Sequence, residues 1–325
     1  MEKKKIYITR KLPQAIYTKL ADEFEVKMWD KEDQPVPREI LMEEVKEIDG
    51  LFCLLTETID REVIENAPRL KVIANMAVGY NNIDIDTATE KGIVVTNTPG
   101  VLTETTADLT FALLMATARR VIEASDYLRN GEWKTWSPMQ LTGQDIHGAT
   151  LGIIGMGRIG QALVKRAKGF DMNVAYYNRS RKPEIEEEMG IRYMGLEELL
   201  QQSDYVSLLI PYSPAVHHLI GKKELSLMKQ SAILINTARG GIVDESALFN
   251  ALKTGEIWAA GLDVFEVEPM LLDSPLLTLP NVVTLPHIGS ASEKTRLKMA
   301  DLAAENIIHV LNGGAPITAV NGRAK

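Results

Sequence analysis

The sequence holds one cysteine, Cys53, set in the apolar run Leu51-Phe-Cys-Leu-Leu55. A single thiol excludes an internal disulfide and any multi-thiolate metal site, and its setting reads as that of a small buried hydrophobe. Histidine is also scarce, five in 325 residues with no metal-ligand spacing among them, so no metal is expected. No apolar run approaches the ~18 residues of a membrane span. Although Met1-Glu-Lys-Lys-Lys5 looks like the start of a secretory signal, Ile6-Tyr-Ile8 after it is far too short for a signal core. A cytoplasmic, reducing location is therefore expected. Cations are outnumbered, 36 Lys and Arg against 44 Asp and Glu, a net charge of −8. Nucleic-acid binding needs clustered Lys and Arg on a basic domain, so that partner class is set aside. Solenoid-period repeats and low-complexity segments are absent too.

What is present is an ordinary globular composition, 45% hydrophobic and 25% charged, long enough for two lobes. Short apolar runs alternate with helical patterns in the βα rhythm of parallel sheets. Lys5–Thr9, Leu51–Leu55, Val72–Met76 and Ile93–Thr96 form a first series. Leu151–Gly155, Met172–Tyr177, Tyr205–Ile210, Ala232–Asn236, Ala259–Asp263 and Val282–Leu285 form a second. Between them Thr103–Arg129 reads as one long helix joining the lobes, with Thr103 as its N-cap. A last helix, about Glu293 to Leu311, ends at Asn312-Gly-Gly314. Its pattern does not decide whether it extends the second lobe or returns to the first.

Gly155-Met-Gly157-Arg-Ile-Gly160 follows a strand directly and opens the helix Gln161–Lys168. In that context Gly155 permits the tight turn, Gly157 lets the backbone approach a pyrophosphate, and Gly160 allows close helix–strand packing, while the helix N-terminus holds the anion. About twenty residues on, an NAD-preferring site places an acid on the ribose hydroxyls. Here Asn178, Arg179, Ser180 and Arg181 stand instead, donors that suit a 2′-phosphate. NADP(H) is the expected cofactor, with NAD(H) possible; Arg181 and Lys182 facing solvent beside the acidic run Glu184–Glu188 is the plain alternative.

Three ionisable residues follow strands of the second series: Arg239, Glu268 and His287. Ligands of open α/β sheets bind at those strand ends. Reduction of a 2-oxo acid needs a cation for the carboxylate, a proton donor for the carbonyl oxygen, and a group that keeps the donor protonated. Arg239 offers a planar fork, His287 an acid that works near neutrality, and Glu268 a carboxylate to orient the ring and favour its charged form. Singly, each has a plainer reading, as a loop cation, a helix-start acid and a satisfied loop histidine. Their shared placement downstream of a nucleotide turn favours the catalytic one. His217 and His218 match no motif and read as solvated loop or helix-start residues.

These residues resemble the D-isomer specific 2-hydroxy acid dehydrogenase family across essentially the whole chain. The likeness is carried by Leu151–Gly160, Asn236-Thr-Ala-Arg-Gly-Gly241, Gly261-Leu-Asp-Val-Phe265 with Glu268-Pro269, and Pro286-His-Ile-Gly-Ser290. Gly131-Glu-Trp-Lys-Thr-Trp136 and Val78-Gly-Tyr-Asn-Asn82 are most similar to glyoxylate and hydroxypyruvate reductases. The resemblance implies an α/β fold of two open parallel-sheet lobes, with a Rossmann coenzyme domain inserted in a flavodoxin-like substrate domain. The expected bounds are 1–100 with 288–325 for the substrate domain and 101–287 for the coenzyme domain, which also dimerises. It places the active site between the lobes. It also implies that Val78 and Gly79 amides hold the substrate carboxylate with Arg239, and that Leu54 and Leu55 line the pocket. Thr106 and Asp263 approach the nicotinamide; Arg158, Ile159, Pro211, Thr237, Ala238 and Gly289 complete the cofactor contacts. Ser290 and Trp136 match substrate-pocket positions, the tryptophan from the partner of a homodimer, with plain interface packing as its alternative. Tyr212-Ser213 after Pro211 departs from the commoner Leu-Thr, and Asn178-Arg179 departs toward the NADP-using branch.

A 2-ketogluconate or broad 2-oxo acid reductase is the alternative within the family. A nicotinamide-sensing corepressor is the alternative from another class, disfavoured by a compact chain without a long tail or basic face. Phosphoglycerate dehydrogenases often append a regulatory domain for which 325 residues leave no room, and formate and phosphite dehydrogenases carry other N-terminal signatures.

Overall fold

A computed structural model describes residues 3–322. The outermost ends of the expected domains, residues 1–2 and 323–325, lie outside the described residues, as does the start of the Met1–Lys5 segment. Two compact units result, Met1–Leu102 with Ala291–Lys325, and Thr103–Ser290. The boundaries fall two or three residues beyond the expected ones, because the joining helix starts at Thr103 and the last helix is capped by Ser292.

The first unit has five parallel strands, β1 (Lys5–Ile8), β2 (Glu25–Met28), β3 (Gly50–Cys53), β4 (Val72–Asn75) and β5 (Val94–Thr96), in the order β2-β1-β3-β4-β5. This is the flavodoxin-like order, with its switch point between β1 and β3. β2 escaped the sequence reading because it is a four-residue edge strand whose Glu25 and Lys27 face water. The helix Glu293–Leu311 returns to this unit and packs on β3, β4 and β5. Gly50 makes that approach possible: a Cβ there would stand 3.3 Å from Leu311 and 3.4 Å from Ile307.

In the second unit seven strands follow: β6 (Thr150–Ile154), β7 (Asn173–Tyr177), β8 (Arg192–Tyr193), β9 (Tyr205–Leu208), β10 (Ile233–Asn236), β11 (Ala259–Leu262) and β12 (Val282–Thr284). Their order is β12-β11-β10-β9-β6-β7-β8, all parallel, with later strands added outward on one side of β9 and earlier ones on the other side of β6, the Rossmann switch point. Apolar residues run continuously here because both faces are covered: Leu234, Val206 and Ile154 enter one core, Ile233, Ile235 and Ile153 the other. Each such side chain contributes about 1.5–3 kcal/mol by leaving water.

The stretch Thr103–Arg129 is two helices, Thr103–Ala118 and Val121–Arg129. Thr103 lies inside the first helix rather than before it. The break comes at Arg120, left-handed at φ 51°, whose guanidinium forks onto Glu123 at 2.7 and 2.6 Å. The returning chain ends the first helix, Gln144 N donating to Ala118 O at 2.9 Å beside Gly143, where a Cβ would stand 2.1 Å from that oxygen.

Candidate active site

At the end of β6, Gly155 adopts φ 113°, and a Cβ on it would sit 2.6 Å from the carbonyl carbon of Leu209. Only glycine fits there. A Cβ on Gly160 would meet Gly155 O at 2.3 Å, so the helix, which starts at Arg158 rather than Gln161, rests directly on the turn. Gly157 differs, with nothing within 4 Å of its would-be Cβ on an exposed face. Its missing side chain serves close approach from outside. The amides of Arg158, Ile159 and Gly160 precede the first helical bond, Gln161 N to Gly157 O, and are the donors an anion needs.

After β7, Asn178 turns back, its Oδ1 accepting from Met156 N at 2.8 Å. Lys182 also reaches that turn, Nζ donating to Met156 O at 2.9 Å, a link sequence spacing did not suggest. Arg181 is engaged by Glu186 at 2.9 and 2.7 Å and stacks on Tyr193. Arg179 and Ser180 are exposed. Among the expected 2′-phosphate donors, Arg179 is thus the unengaged cation and Arg181 a paired one.

Arg239 ends the turn after β10. Asn236 shapes that turn through Nδ2 to Arg239 O (3.0 Å) and by accepting from Ala238 N (3.0 Å). Burial lowers the Arg239 pKa while Glu268 opposes the shift; a guanidinium starts so high that it keeps its charge. Glu268 takes Phe265 N on Oε1 at 3.1 Å and places Oε2 2.7 Å from His287 Nδ1. Burial acts to raise the Glu268 pKa, but His287, the Phe265 amide and Arg239 outweigh it, and the carboxyl lies below its ordinary value. His287 itself sits at φ 53°, a left-handed conformation costly for a residue with a Cβ and concentrated at functional sites.

Asp263 follows β11 and is 1% exposed, Oδ1 accepting from Ile288 N at 2.7 Å and Oδ2 without a hydrogen-bond partner. Burial raises its pKa against the pull of the Ile288 amide and His287. An orphaned buried acceptor calls for a donor from outside, which suits the carboxamide of a nicotinamide. Gly289 lies against it, its would-be Cβ 3.2 Å from Asp263 Oδ2 and 3.6 Å from Thr106. Thr237 joins this group through Thr110, hydroxyl to hydroxyl at 2.7 Å. Asp263, Thr106 and Gly289 are thus brought together, with Thr237 linked through Thr110, whereas Pro211 stands exposed after β9 and Ser290 is half-buried.

Sequence reading missed a latch beneath the loop that carries Glu268. Glu245 N donates to Glu266 Oε1 (3.0 Å) and Glu266 N to Glu245 Oε1 (2.6 Å), and Gly240 backs the loop so closely that a Cβ would stand 1.8 Å from the Phe265 carbonyl carbon. His218 is part of it, Nε2 lying 3.0 Å from Glu266, and its ring stacks on His217 at 3.9 Å, so it is not merely solvated. No group of three or more His, Cys, Asp or Glu among the described residues could hold a metal, and no described helix is long and apolar enough to cross a membrane. In the first unit Leu54 and Leu55 follow β3, and Val78 and Gly79 follow β4, all half-buried. Trp136 is 75% exposed on the loop after the helix Val121–Arg129.

A glycine turn at the switch point, a buried acid with an orphaned oxygen, and an Arg with a Glu–His pair at neighbouring strand ends define an NAD(P)-dependent oxidoreductase. The NAD-binding domain of the D-isomer specific 2-hydroxyacid dehydrogenases matches residues 111–289. A glyoxylate reductase of Korarchaeum cryptofilum is 52% identical over 320 residues, 98% of this chain and 96% of that one. A crystal structure of a Thermus thermophilus protein superposes with TM-score 0.92 at 46% identity, covering 98% of this chain and all of that one. The NADPH-dependent glyoxylate/hydroxypyruvate reductase of Sinorhizobium meliloti, solved with NADP and malonate, gives 0.88 at 32% identity with both chains fully covered. The chain belongs to the D-isomer specific 2-hydroxyacid dehydrogenase family.

Proposed function

We propose that the protein reduces glyoxylate, and hydroxypyruvate beside it, to the 2-hydroxy acid, using NADPH in preference to NADH. The 2.7 Å pairing of His287 with Glu268, on the unit that carries the glycine turn, is the observation behind this reading. When bound, the reduced nicotinamide supplies a hydride to substrate C2. Arg239 binds the carboxylate and polarises the carbonyl, helped by the amides of Val78 and Gly79, with Leu54, Leu55 and Ser290 about the substrate. Glu268 holds Nδ1 of His287, which leaves Nε2 to give its proton to the carbonyl oxygen as the hydride arrives. One hydride and one proton convert the 2-oxo acid to the 2-hydroxy acid; in reverse, His287 takes the proton back.

Cofactor contacts are assigned to Gly155, Gly157, Arg158, Ile159 and Gly160 at the pyrophosphate and to Thr106, Asp263 and Gly289 at the nicotinamide. Pro211, Thr237 and Ala238 lie between. Arg179 and Ser180 carry the NADPH preference, with Asn178 shaping their loop. We assign the exposed apolar side chains of Leu128, Trp133, Trp136 and Met139 to a homodimer interface. Comparing kcat/KM for glyoxylate, hydroxypyruvate, pyruvate, phenylpyruvate and 2-ketogluconate with each cofactor tests the reading. Glyoxylate and hydroxypyruvate should lead with NADPH; a clear lead for 2-ketogluconate would reassign the substrate.

A further inference from the structure

Glu268 lies on a thinly anchored stretch of chain. Phe265 before it and Leu276 after it are buried, but no residue from Glu266 to Pro275 is. A segment that buries so little apolar surface opens easily, so the place of the Glu268 carboxylate must come from polar ties. Glu266, two residues earlier, supplies them. Its Oε1 accepts from Glu245 N at 3.0 Å and lies 3.0 Å from His218 Nε2, while its own N–H donates to Glu245 Oε1 at 2.6 Å.

Both partners lead back to Arg239. Glu245 opens the helix Glu245–Thr254, which follows the Arg239 turn. His218 lies on the loop after β9, and its N donates to Gly241 O at 2.9 Å. Ile220 N to Ile242 O and Asp244 N to Ile220 O, each at 3.0 Å, continue that ladder. His218 therefore spans the two segments, its backbone on the one that carries Arg239 and its side chain on the one that carries Glu268. It does so at φ 53°, a strained conformation for a residue with a Cβ and one that concentrates at functional sites. On its far face the ring stacks on His217, whose Nδ1 lies 3.2 Å from Tyr212 OH. The arrangement brings like charges together: burial and the charges of Glu266 and Glu268 raise the Glu245 pKa against the pull of the Glu266 amide. The imidazole of His218 and the two amides offset that repulsion.

We infer that Glu266, with Glu245 and His218, forms a brace that sets Glu268 in place relative to Arg239, so that the three are positioning residues for proton transfer through His287. The inference rests on the reading of Glu268 as the group that orients His287. Arg239 keeps a hold of its own through Asn236, whose Nδ2 donates to its carbonyl at 3.0 Å. Loss of the brace thus lets Glu268 drift from His287 Nδ1 while the carboxylate site and the glycine turn stay as they are.

The test measures NADPH-dependent glyoxylate reduction by full-length wild type, Glu266→Ala, Glu266→Gln, Glu268→Gln, and the double variant of Glu266→Ala with Glu268→Gln. Glu266→Ala should lower kcat about tenfold, the scale of a small displacement of a catalytic group, with KM for glyoxylate and for NADPH little changed. Glutamine at 266 keeps an oxygen for both donors and should restore most of the rate. The double variant should fall no further than Glu268→Gln alone, because the brace acts through Glu268. Losses that multiply in the double variant, an unchanged kcat in Glu266→Ala, or no rescue by glutamine would each overturn the inference. Should Glu266→Ala fail to fold, His218→Asn takes its place in the same cycle, since asparagine tolerates the left-handed backbone but loses the reach to Glu266. An unchanged kcat in Glu268→Gln alone would instead remove the reading of Glu268, and this inference with it.

Discussion

His287 Nδ1 lies 2.7 Å from Glu268 Oε2, with the two side chains 24% and 28% exposed. A pair so placed fixes which ring nitrogen faces the substrate and lends the ring a negative neighbour. His287→Ala should lower kcat about 10²- to 10⁴-fold with cofactor binding little changed. In Glu268→Gln the charge is gone but the shape remains, so kcat for reduction should fall at least about tenfold with the cofactor KM little changed. Steady-state rates check this; an unchanged kcat would deny Glu268 its role. The folded-state pKa of Glu268 is depressed, so its contribution to stability is present above the ordinary value of 4.5 and lost as pH falls through the folded value. The difference in Tm between wild type and Glu268→Gln should accordingly shrink in acid.

Asp263 works in the opposite sense. Burial raises its pKa despite the Ile288 amide and the charge of His287, so the folded state binds the proton more tightly than the unfolded one. Stability then declines as pH rises through the folded value, and an ionised Asp263 costs stability at neutral pH. Asp263→Asn keeps an oxygen for Ile288 N and removes the charge. The variant without cofactor should melt higher than wild type at neutral pH, with the gain fading in acid, while its KM for NADPH rises. A lower Tm together with an unchanged cofactor KM would contradict the assignment.

Cofactor choice turns on two arginines in different circumstances. Arg179 is exposed and unengaged among the described residues, whereas Arg181 forks onto Glu186. Arg179→Ala should cost about 10- to 100-fold in kcat/KM for NADPH, the worth of a charge-assisted contact, with little change for NADH. Arg181→Ala should cost less, because its fork already serves a carboxylate. A wild-type preference for NADH would sink the NADPH assignment.

The parts legible in the sequence were those written in local pattern. Gly155, Gly157 and Gly160 between a strand and a helix announce themselves by spacing, and Glu293–Leu311 by its periodicity and its Asn-Gly-Gly stop. Where that last helix docks was not legible from its pattern, because Gly50, which admits it, lies some 240 residues away in sequence. The break at Arg120 was hidden for a similar reason. Its cause is the return of Gly143 and Gln144 onto Ala118 rather than a breaker inside the helix. In the second unit, strand ends pointed to Arg239, Glu268 and His287 as candidates, but the Glu245–Glu266 latch is a partnership of common polar residues. Only the folded chain shows which of many such residues meet.

Trp136 offers a prediction that separates two readings of one exposed side chain. At 75% exposure, beside the exposed Trp133 and Leu128, it lies in a patch that favours cover by a second copy. Sedimentation should give twice the chain mass for wild type and the single mass for Leu128→Glu with Trp133→Glu. Trp136→Ala should raise KM for glyoxylate if the side chain reaches a substrate, and leave it unchanged if it only packs between copies. Mixed dimers decide where it acts. Pairing a Trp136→Ala subunit with a His287→Ala subunit leaves one native site when the tryptophan serves its partner, and none when it serves its own chain. Where Trp136→Ala alone raises KM, a mixture of the two variants that restores the wild-type KM therefore places Trp136 in the neighbouring site, and one that keeps the raised KM excludes it.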